Sequence, residues 1–190
     1  SKAYGDNVLI KDFTYNFLKG DRVGFVGKNG CGKSTLLHLI RNLAEETGNR
    51  MQDHREIETR SGLLTVGAGL TISYISQDTG FLSGTLSEYC RTEKLDYSLL
   101  LTLLRKLDFE RTQFEKPMES FSEGQKKKVL IAASFITPAH LYIWDEPLNY
   151  IDVFSRMQIE QLLLSASPTM LVVDHDVRFQ KKLATRTVKL

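Results

Sequence analysis

Cysteine, net charge and long apolar runs are all scarce in this 190-residue sequence. Its two cysteines, Cys31 and Cys90, form no C-x-x-C pair and no ligand cluster, which argues against a disulfide scaffold and a structural zinc site. The 25 basic and 23 acidic residues give a net charge of +2, so composition alone does not indicate nucleic-acid binding, although it leaves room for a local basic patch. We interpret the chain as a protein of a reducing, cytoplasmic compartment.

Membrane insertion is not expected either. The longest apolar stretch, residues 129–136, is far shorter than the ~20 residues that span a bilayer. The first six residues lack the apolar core of a signal peptide. Because the chain begins with Ser1 rather than Met, we expect it to be a piece of a longer protein.

Apolar runs typical of buried strands alternate with helical patterns along the chain. Strands are predicted at 22–26, 70–75, 141–144 and 170–173, and helices from Lys33, around 95–107, over 129–136 and around 159–164. This alternation predicts an α/β domain with a mainly parallel sheet. We expect one domain over residues 1–190, with an inserted helical lobe at about 78–135 and a loop or β-hairpin at 48–69.

The helix predicted around 95–107 carries an apolar stripe, which we expect to pack against a neighbouring lobe. The stripe consists of Leu95, Leu99, Leu103 and Leu107, with Leu100 and Leu104 beside it.

A glycine-rich segment between the first predicted strand and helix fits the pattern G-x-x-x-x-G-K-[ST], in the context that this motif requires. Its glycines let backbone N–H groups surround phosphate oxygens, and the following helix presents its positive end. Lys33 would reach the β- and γ-phosphates and Ser34 would ligate Mg²⁺. A turn without a ligand is the alternative, which the motif and both flanks disfavour. The expected ATP-binding residues are Gly27, Lys28, Asn29, Gly30, Cys31, Gly32, Lys33, Ser34 and Thr35.

Two carboxylates, Asp145 and Glu146, end the predicted strand at 141–144. Open α/β sheets bind ligands at this end of their strands. Asp145 would hold Mg²⁺, and Glu146 would act as a general base on the attacking water. In isolation such a pair is equally well explained by helix capping, but beside a phosphate-binding motif it favours a hydrolytic site.

The segment 121–125 precedes the helix predicted over 129–136. Ser122 and Gln125 have the spacing of a capping box, which would require no ligand. The same hydroxyl and the free N–H groups of the helix terminus also suit a γ-phosphate. Both interpretations remain open at this point.

In this order, the motifs resemble those of the ATP-binding cassette (ABC) superfamily over nearly the whole chain. The resemblance implies a P-loop NTPase cassette with a mainly parallel core sheet, a β subdomain and a small inserted helical lobe. It also implies a signature motif at Ser122, Glu123, Gly124 and Gln125, and a D-loop with Asn149 and Asp152. Gln77 would be the Q-loop glutamine, which also ligates the metal, and His175 the switch histidine, and both would serve catalysis together with Glu146. Tyr4 would be the aromatic residue that stacks on adenine.

The sequence departs from the usual signature at two positions. Phe121 stands where leucine is usual, and Glu123 replaces the common first glycine. We expect Glu123 to point outward at the helix start, where a negative charge is favourable.

The segment 147–152 and the short lobe between Gln77 and Ser122 resemble the ABC-F proteins, which contain two cassettes and act on ribosomes. The likeness is greatest to the second cassette of antibiotic-resistance proteins of the lincosamide and streptogramin A type. It implies ATP hydrolysis with Mg²⁺, with the ribosome and its RNA as a partner. The motor domain of an ABC membrane transporter is the alternative.

In the superfamily, one cassette completes the ATP site of another, so the resemblance implies a second cassette, within the full-length protein or in a homodimer. We therefore expect the isolated chain to bind ATP and Mg²⁺ but to hydrolyse slowly, because the signature motif acts in trans.

Basic clusters are present at 126–128, at 181–182 and at Arg186. They either face ribosomal RNA or form solvated helix faces, and the second interpretation is the commoner one for such runs.

Overall fold

The computed structural model describes residues 2–4, 7–10, 16–48, 55–59, 62–66 and 69–190, with side chains described over 16–43 and 69–190. It divides into two compact units. The first combines residues 1–74, 139–145 and 168–190, and the second combines 75–138 and 146–167. The extent of the single domain and of its helical lobe, at about 78–135, stays a prediction.

The described strands are β1 Lys2–Tyr4, β2 Asn7–Ile10, β3 Arg22–Val26, β4 Arg55–Thr59, β5 Gly62–Val66, β6 Ile72–Ile75, β7 Leu141–Asp145, β8 Met170–Val173 and β9 Arg186–Lys189. The α-helices are α1 Lys33–Gly48, α2 Leu86–Glu93, α3 Tyr97–Lys106, α4 Glu123–Ile136, α5 Val153–Ala166 and α6 Val177–Leu183. Two 3₁₀ turns lie at Arg111–Gln113 and Met118–Ser120. None of these helices combines the length and the apolar character that a membrane crossing requires.

A five-stranded sheet with the order β6-β7-β8-β3-β9 forms the centre of the first unit. β3 runs parallel to β8 and β9, and β7 runs parallel to β8. All four residues of β8 are buried, as expected for an inner strand that is covered on both faces. The predicted α/β class with a mainly parallel sheet is therefore confirmed.

The strands that the sequence pattern did not reveal lie at edges or in hairpins. β9 is the last strand of the sheet and is largely exposed, so it lacks the apolar run that marks an inner strand. β1 and β2 form one antiparallel pair, and β4 and β5 form another. The second pair decides between the two interpretations of residues 48–69 in favour of a hairpin.

The second unit is helical and has its own apolar interior. Every residue of α4 from Lys127 to Ser134 is buried. The Phe109 ring packs on Phe114, at 5.8 Å between centroids, and edge-on to Phe121, at 5.3 Å. These contacts hold the segments before α4 against each other.

The apolar face of α3 differs from the predicted stripe. Leu100, Leu104 and Leu107 are fully buried, whereas Leu99 is 46% exposed. α3 packs against α4, and its N-cap Asp96 starts the helix after Leu95, so Leu95 does not belong to it. Leu107 of the predicted stripe and the two leucines beside it, Leu100 and Leu104, are thus buried, whereas Leu99 of the stripe is exposed. The pattern alone does not separate the two leucine rows, because both have helical spacing.

Matched leucine substitutions in α3 test this face. Leu104→Ala should lower the free energy of unfolding by about 2–5 kcal/mol, because it leaves a cavity in the interior. Leu99→Ala, the control on the exposed side, should cost about 1 kcal/mol or less. Urea denaturation followed by circular dichroism measures both, and equal losses would contradict the assignment.

Candidate functional site

The loop between β3 and α1 in the first unit requires glycine at three positions. Gly30 and Gly32 have φ angles of +79° and +99°, which L side chains rarely adopt. A Cβ atom on Gly27 would lie 2.6 Å from Cys31 Sγ and 2.9 Å from the carbonyl oxygen of Leu190. The loop is therefore closely folded, with little side-chain bulk around its backbone.

Lys33 begins α1 and is nearly buried, with 8% of its surface exposed. Its Nζ atom donates to the carbonyl oxygens of Gly27 and Lys28, at 3.0 Å each. Ser34 and Thr35 follow in the first turn of the helix, and this first turn contains no acidic residue. An ammonium group and a helix N-terminus without an opposing negative charge suit an anion such as phosphate.

Asp145 ends β7 and is buried in the first unit, with 1% exposure. Burial of Tyr74 and the negative charge of Asp145 together raise the pKa of the Tyr74 phenol to about 12, although Arg41 acts in the opposite direction. The Asp145 carboxylate and the Ser34 hydroxyl are oxygen donors, which Mg²⁺ prefers alongside phosphate oxygens. The residues present therefore fit a magnesium–nucleotide complex.

Glu146 lies in the second unit and receives two hydrogen bonds on one carboxylate oxygen. Gln77 Nε2 donates to Glu146 Oε2 at 3.0 Å, and Asn149 Nδ2 donates to the same atom at 2.7 Å. The backbone of Glu146 has a φ of +48°, in the left-handed region that non-glycine residues disfavour. The expected general base, Q-loop residue and D-loop residue thus meet at a single, strained position.

The expected signature segment caps α4. Ser122 Oγ accepts the Gln125 N–H at 3.3 Å, and Gln125 Oε1 accepts the Ser122 N–H at 2.9 Å. The capping box is therefore confirmed. The γ-phosphate role of Ser122, Glu123, Gly124 and Gln125 stays a prediction.

Glu123 is half exposed, but it is also tied to its own unit. Its carboxylate accepts hydrogen bonds from Thr79 Oγ1, at 2.5 Å, and from Lys126 Nζ, at 3.1 Å. These two bonds, the Thr79 bond first, lower the pKa of Glu123. The residue that replaces the usual glycine thus attaches the start of α4 to the segment that follows Gln77.

The D-loop segment contacts the same helix. A Cβ atom on Gly124 would lie 2.4 Å from the carbonyl oxygen of Tyr150, so only glycine allows this approach. Lys128 Nζ lies 2.8 Å from Asp152 Oδ2, and Asp152 also caps α5 by accepting the N–H of Ser155. Burial opposes ionisation of Asp152, but the bonds from Lys128 and Ser155 outweigh it and hold the pKa of Asp152 well below its usual range.

The basic run at 126–128 is neither an RNA-facing patch nor a solvated helix face. Lys127 and Lys128 are 1% and 8% exposed. Lys127 Nζ donates to the Ser76 carbonyl at 2.8 Å, Lys128 pairs with Asp152, and Lys126 pairs with Glu123. Both predictions for this run are therefore wrong, because α4 is surrounded by protein here. The cluster at 181–182 and Arg186 is exposed.

His175 is exposed in the turn between β8 and α6, which a buried glutamine supports. Gln180 Nε2 donates to the carbonyl oxygens of Asp174, at 2.6 Å, and of Phe25, at 3.3 Å. It thereby joins the ends of β8 and β3. Sequence reasoning missed Gln180, because a lone polar residue in an amphipathic helix carries no motif. Tyr4 ends β1, and its side chain lies outside the described residues.

Comparison with known proteins gives a consistent set of relatives. The sequence profile described as "ABC transporter" matches residues 10–149. The chain is 29% identical to ATP-binding protein Uup of Caulobacter vibrioides, covering 100% of this chain and 31% of Uup. It is 31% identical to ribosome protection protein VmlR of Bacillus subtilis, covering 96% of this chain and 31% of VmlR. The chain thus spans about a third of the length of these relatives.

Solved structures resemble the same fold. The archaeal ribosome recycling factor aABCE1, in complex with ribosomal stalk protein aP1, superposes with a TM-score of 0.65 at 26% identity, covering 91% of this chain and 32% of that one. An ATP-binding subunit of an ABC transporter superposes with a TM-score of 0.78 at 23% identity, covering 100% and 82%. The second likeness concerns the fold alone.

Replacing Gly124 tests the contact between α4 and the D-loop segment. Glycine to alanine in a helix normally stabilises, but Gly124→Ala should destabilise by about 1–3 kcal/mol, because the added carbon meets backbone. In Gly80→Ala, the control, the added carbon meets only the Asp78 side chain, at 3.2 Å, and a change within about 0.5 kcal/mol is expected. Urea denaturation distinguishes the two, and a stabilised Gly124→Ala variant would refute the contact.

The charge of Asp152 should make stability depend on pH. Its lowered pKa means that it contributes stability above the ordinary value near 4, and that this contribution is lost as pH falls through the folded-state value. Asp152→Asn keeps an effective helix cap but removes the charge. The unfolding free energy of the wild type should exceed that of this variant by roughly 1 kcal/mol at pH 7, because Asp152 is partly solvated. The difference should shrink below about pH 4. A difference that is constant from pH 7 to pH 3 would contradict this assignment.

Proposed function

Because the chain belongs to the ABC transporter family, we propose that it is an ATP-hydrolysing cassette of the ABC-F type, which acts on the ribosome as part of a longer protein. The observation that carries the hydrolytic role is the Glu146 carboxylate, which holds hydrogen bonds from Gln77 and Asn149. The family match and the ABC-F resemblance of segment 147–152 support the rest.

The phosphate loop of the first unit would bind the nucleotide. Lys33 would exchange its bonds to the carbonyls of Gly27 and Lys28 for phosphate oxygens, which carry more negative charge. The N–H groups of Lys28 to Thr35 would surround the same phosphates. Ser34 and Asp145 would hold Mg²⁺, which would neutralise part of the phosphate charge, and the family resemblance adds Gln77 as a further ligand. Tyr4 would stack on the adenine.

Glu146 would accept a proton from the attacking water. The two amide donors on its Oε2 atom restrict the side chain to one orientation, which a general base requires. His175, in a turn held by Gln180, would contact the γ-phosphate as the switch residue. In this arrangement Gln77 would serve both the metal and the base.

Efficient turnover would require a second cassette, whose phosphate loop meets Ser122, Glu123, Gly124 and Gln125 of this chain. The capped start of α4 offers a hydroxyl and the positive end of a helix dipole for that purpose. Asn149 and Asp152 would lie at the same contact. The relatives are about three times as long as this chain, which leaves room for a second cassette in each.

Ribosomal action is supported by 31% identity to a ribosome protection protein. Protection from antibiotics is proposed from the sequence resemblance alone. Lys127 and Lys128 are buried and Lys126 is paired with Glu123, so contacts of this chain with the ribosome would involve the exposed residues Lys181, Lys182 and Arg186. Other parts of the full-length protein would supply further contacts.

The full-length protein with Glu146→Gln tests this proposal. It should bind ATP with wild-type affinity and hydrolyse it at least about 100-fold more slowly, because a general base is lost. With ATP, it should also co-sediment with ribosomes more strongly than the wild type, because unhydrolysed ATP would keep the two cassettes together. Fluorescent-nucleotide titration, phosphate release and sucrose-cushion centrifugation provide the three measurements.

Lys33→Ala is the control, since it should lose both ATP binding and ATP-dependent co-sedimentation. Hydrolysis by Glu146→Gln at the wild-type rate would refute the general base. Failure to co-sediment, with ATP binding intact, would refute the ribosomal role and favour the motor of a membrane transporter. Expression of the wild type in a susceptible bacterium should raise tolerance to lincosamides and streptogramin A, and unchanged tolerance would refute the resistance role.

A further inference from the structure

We propose that Lys127 and Lys128, the two buried lysines of α4, are positioning residues for the Glu146 carboxylate. Glu146 accepts hydrogen bonds from Gln77 and Asn149. Lys127 binds the segment that carries Gln77, and Lys128 binds the segment that carries Asn149. This inference rests on the proposed role of Glu146 in ATP hydrolysis, and it concerns contacts within the second unit only.

The first connection runs through Lys127. This residue is 1% exposed, and its Nζ atom donates to the Ser76 carbonyl oxygen at 2.8 Å. Ser76 immediately precedes Gln77, whose Nε2 atom donates to Glu146 Oε2. A bond to the backbone at Ser76 therefore limits where the Gln77 amide can lie.

The second connection runs through Lys128, which is 8% exposed and pairs with Asp152 at 2.8 Å. Asp152 ends the turn that carries Asn149, and Asn149 Nδ2 donates to Glu146 Oε2 at 2.7 Å. The close approach of Gly124 to Tyr150 fixes the same turn against α4. The position of Asn149 thus depends on a helix that it does not itself belong to.

Backbone strain in this turn shows why such support is needed. Glu146 and Tyr150 have φ angles of +48° and +65°. Non-glycine residues keep this conformation only where the surrounding structure holds them in it. The bonds made by Lys128, Gln77 and Asn149 are of this kind.

The use of lysine at these positions also requires an explanation. Burying an ammonium group carries a desolvation cost, and an apolar side chain at such a site is often as stable or more so. Lys127 and Lys128 each bind a segment that contacts the Glu146 carboxylate. Two buried charges at these positions are explained if that carboxylate must be held in place. A packing role alone would not require the charge.

The test uses the full-length protein with Lys127→Met and Lys128→Met. The kcat for ATP hydrolysis should fall roughly 10- to 100-fold in each variant, because a small displacement of a reacting group is costly. The dissociation constant for ATP should stay within about twofold, since the phosphate loop belongs to the other unit. Lys106→Met, an exposed lysine of α3, is the control and should keep the wild-type kcat.

A double-mutant cycle separates positioning from general stability. If Lys128 acts through Asn149, then Lys128→Met combined with Asn149→Ala should reduce kcat no further than the more severe single variant. Lys128→Arg should restore most of the wild-type kcat, because it keeps the ion pair. If the Lys128→Met variant does not fold, Asp152→Asn replaces it, since it removes the same ion pair and keeps the cap of α5.

The outcomes distinguish this inference from the proposed function. If Glu146→Gln hydrolyses ATP at the wild-type rate, Glu146 is not the general base, and the proposed function fails before this inference is tested. If Glu146→Gln is inactive but Lys127→Met and Lys128→Met keep the wild-type kcat, the inference is overturned. Additive losses in the cycle with Asn149→Ala would overturn it as well.

Discussion

Parallel pairing of the inner strands is the constraint on which the first unit depends. β3 and β7 both run parallel to β8, with Phe25 and Asp145 each opposite Val173. Since parallel strands end at the same edge, the phosphate loop, Asp145 and the turn carrying His175 must emerge together. Gln180 stabilises this edge, because its side chain donates hydrogen bonds to carbonyl oxygens at the ends of both β3 and β8. Three segments that are far apart in sequence therefore lie at the same edge of the sheet, although no local sequence pattern indicates that they meet.

In the second unit, α4 has the corresponding role. Its first turn bonds to Thr79 through Glu123, and its second turn bonds to Ser76 and Asp152 through Lys127 and Lys128. A helix used in this way presents no single polar face, because partners surround it. This is why the run of three lysines, which in a sequence looks like a surface patch, is almost entirely internal. The departure from the usual signature glycine at Glu123 has a structural role in the same set of contacts.

Much of the fold could be predicted, and the failures have identifiable causes. Inner strands such as β8 are recognised because they are uniformly apolar, and α1 because a glycine loop precedes it. β9 was missed because an edge strand needs burial on one side at most. The expectation for α3 is wrong at Leu99, because Leu99 and Leu104 belong to adjacent rows with the same spacing and only the position of α4 distinguishes them. The roles assigned to site residues by resemblance are proposals, and the structure shows where these side chains lie for all of them except Tyr4.

What the sequence determined by itself is local: a glycine-rich turn before a helix, a capping box at Ser122, and a strand that ends in Asp145 and Glu146. These features depend on residues within a few positions of each other, so backbone stereochemistry and hydrogen-bond spacing are sufficient to define them. Only the tertiary structure decided which donors reach Glu146 and where the lysines of α4 point. The bond from Asn149 to Glu146 spans only three residues, but the contacts of Gln77, Lys127 and Lys128 join residues tens of positions apart, and their geometry depends on packing that no sequence pattern records.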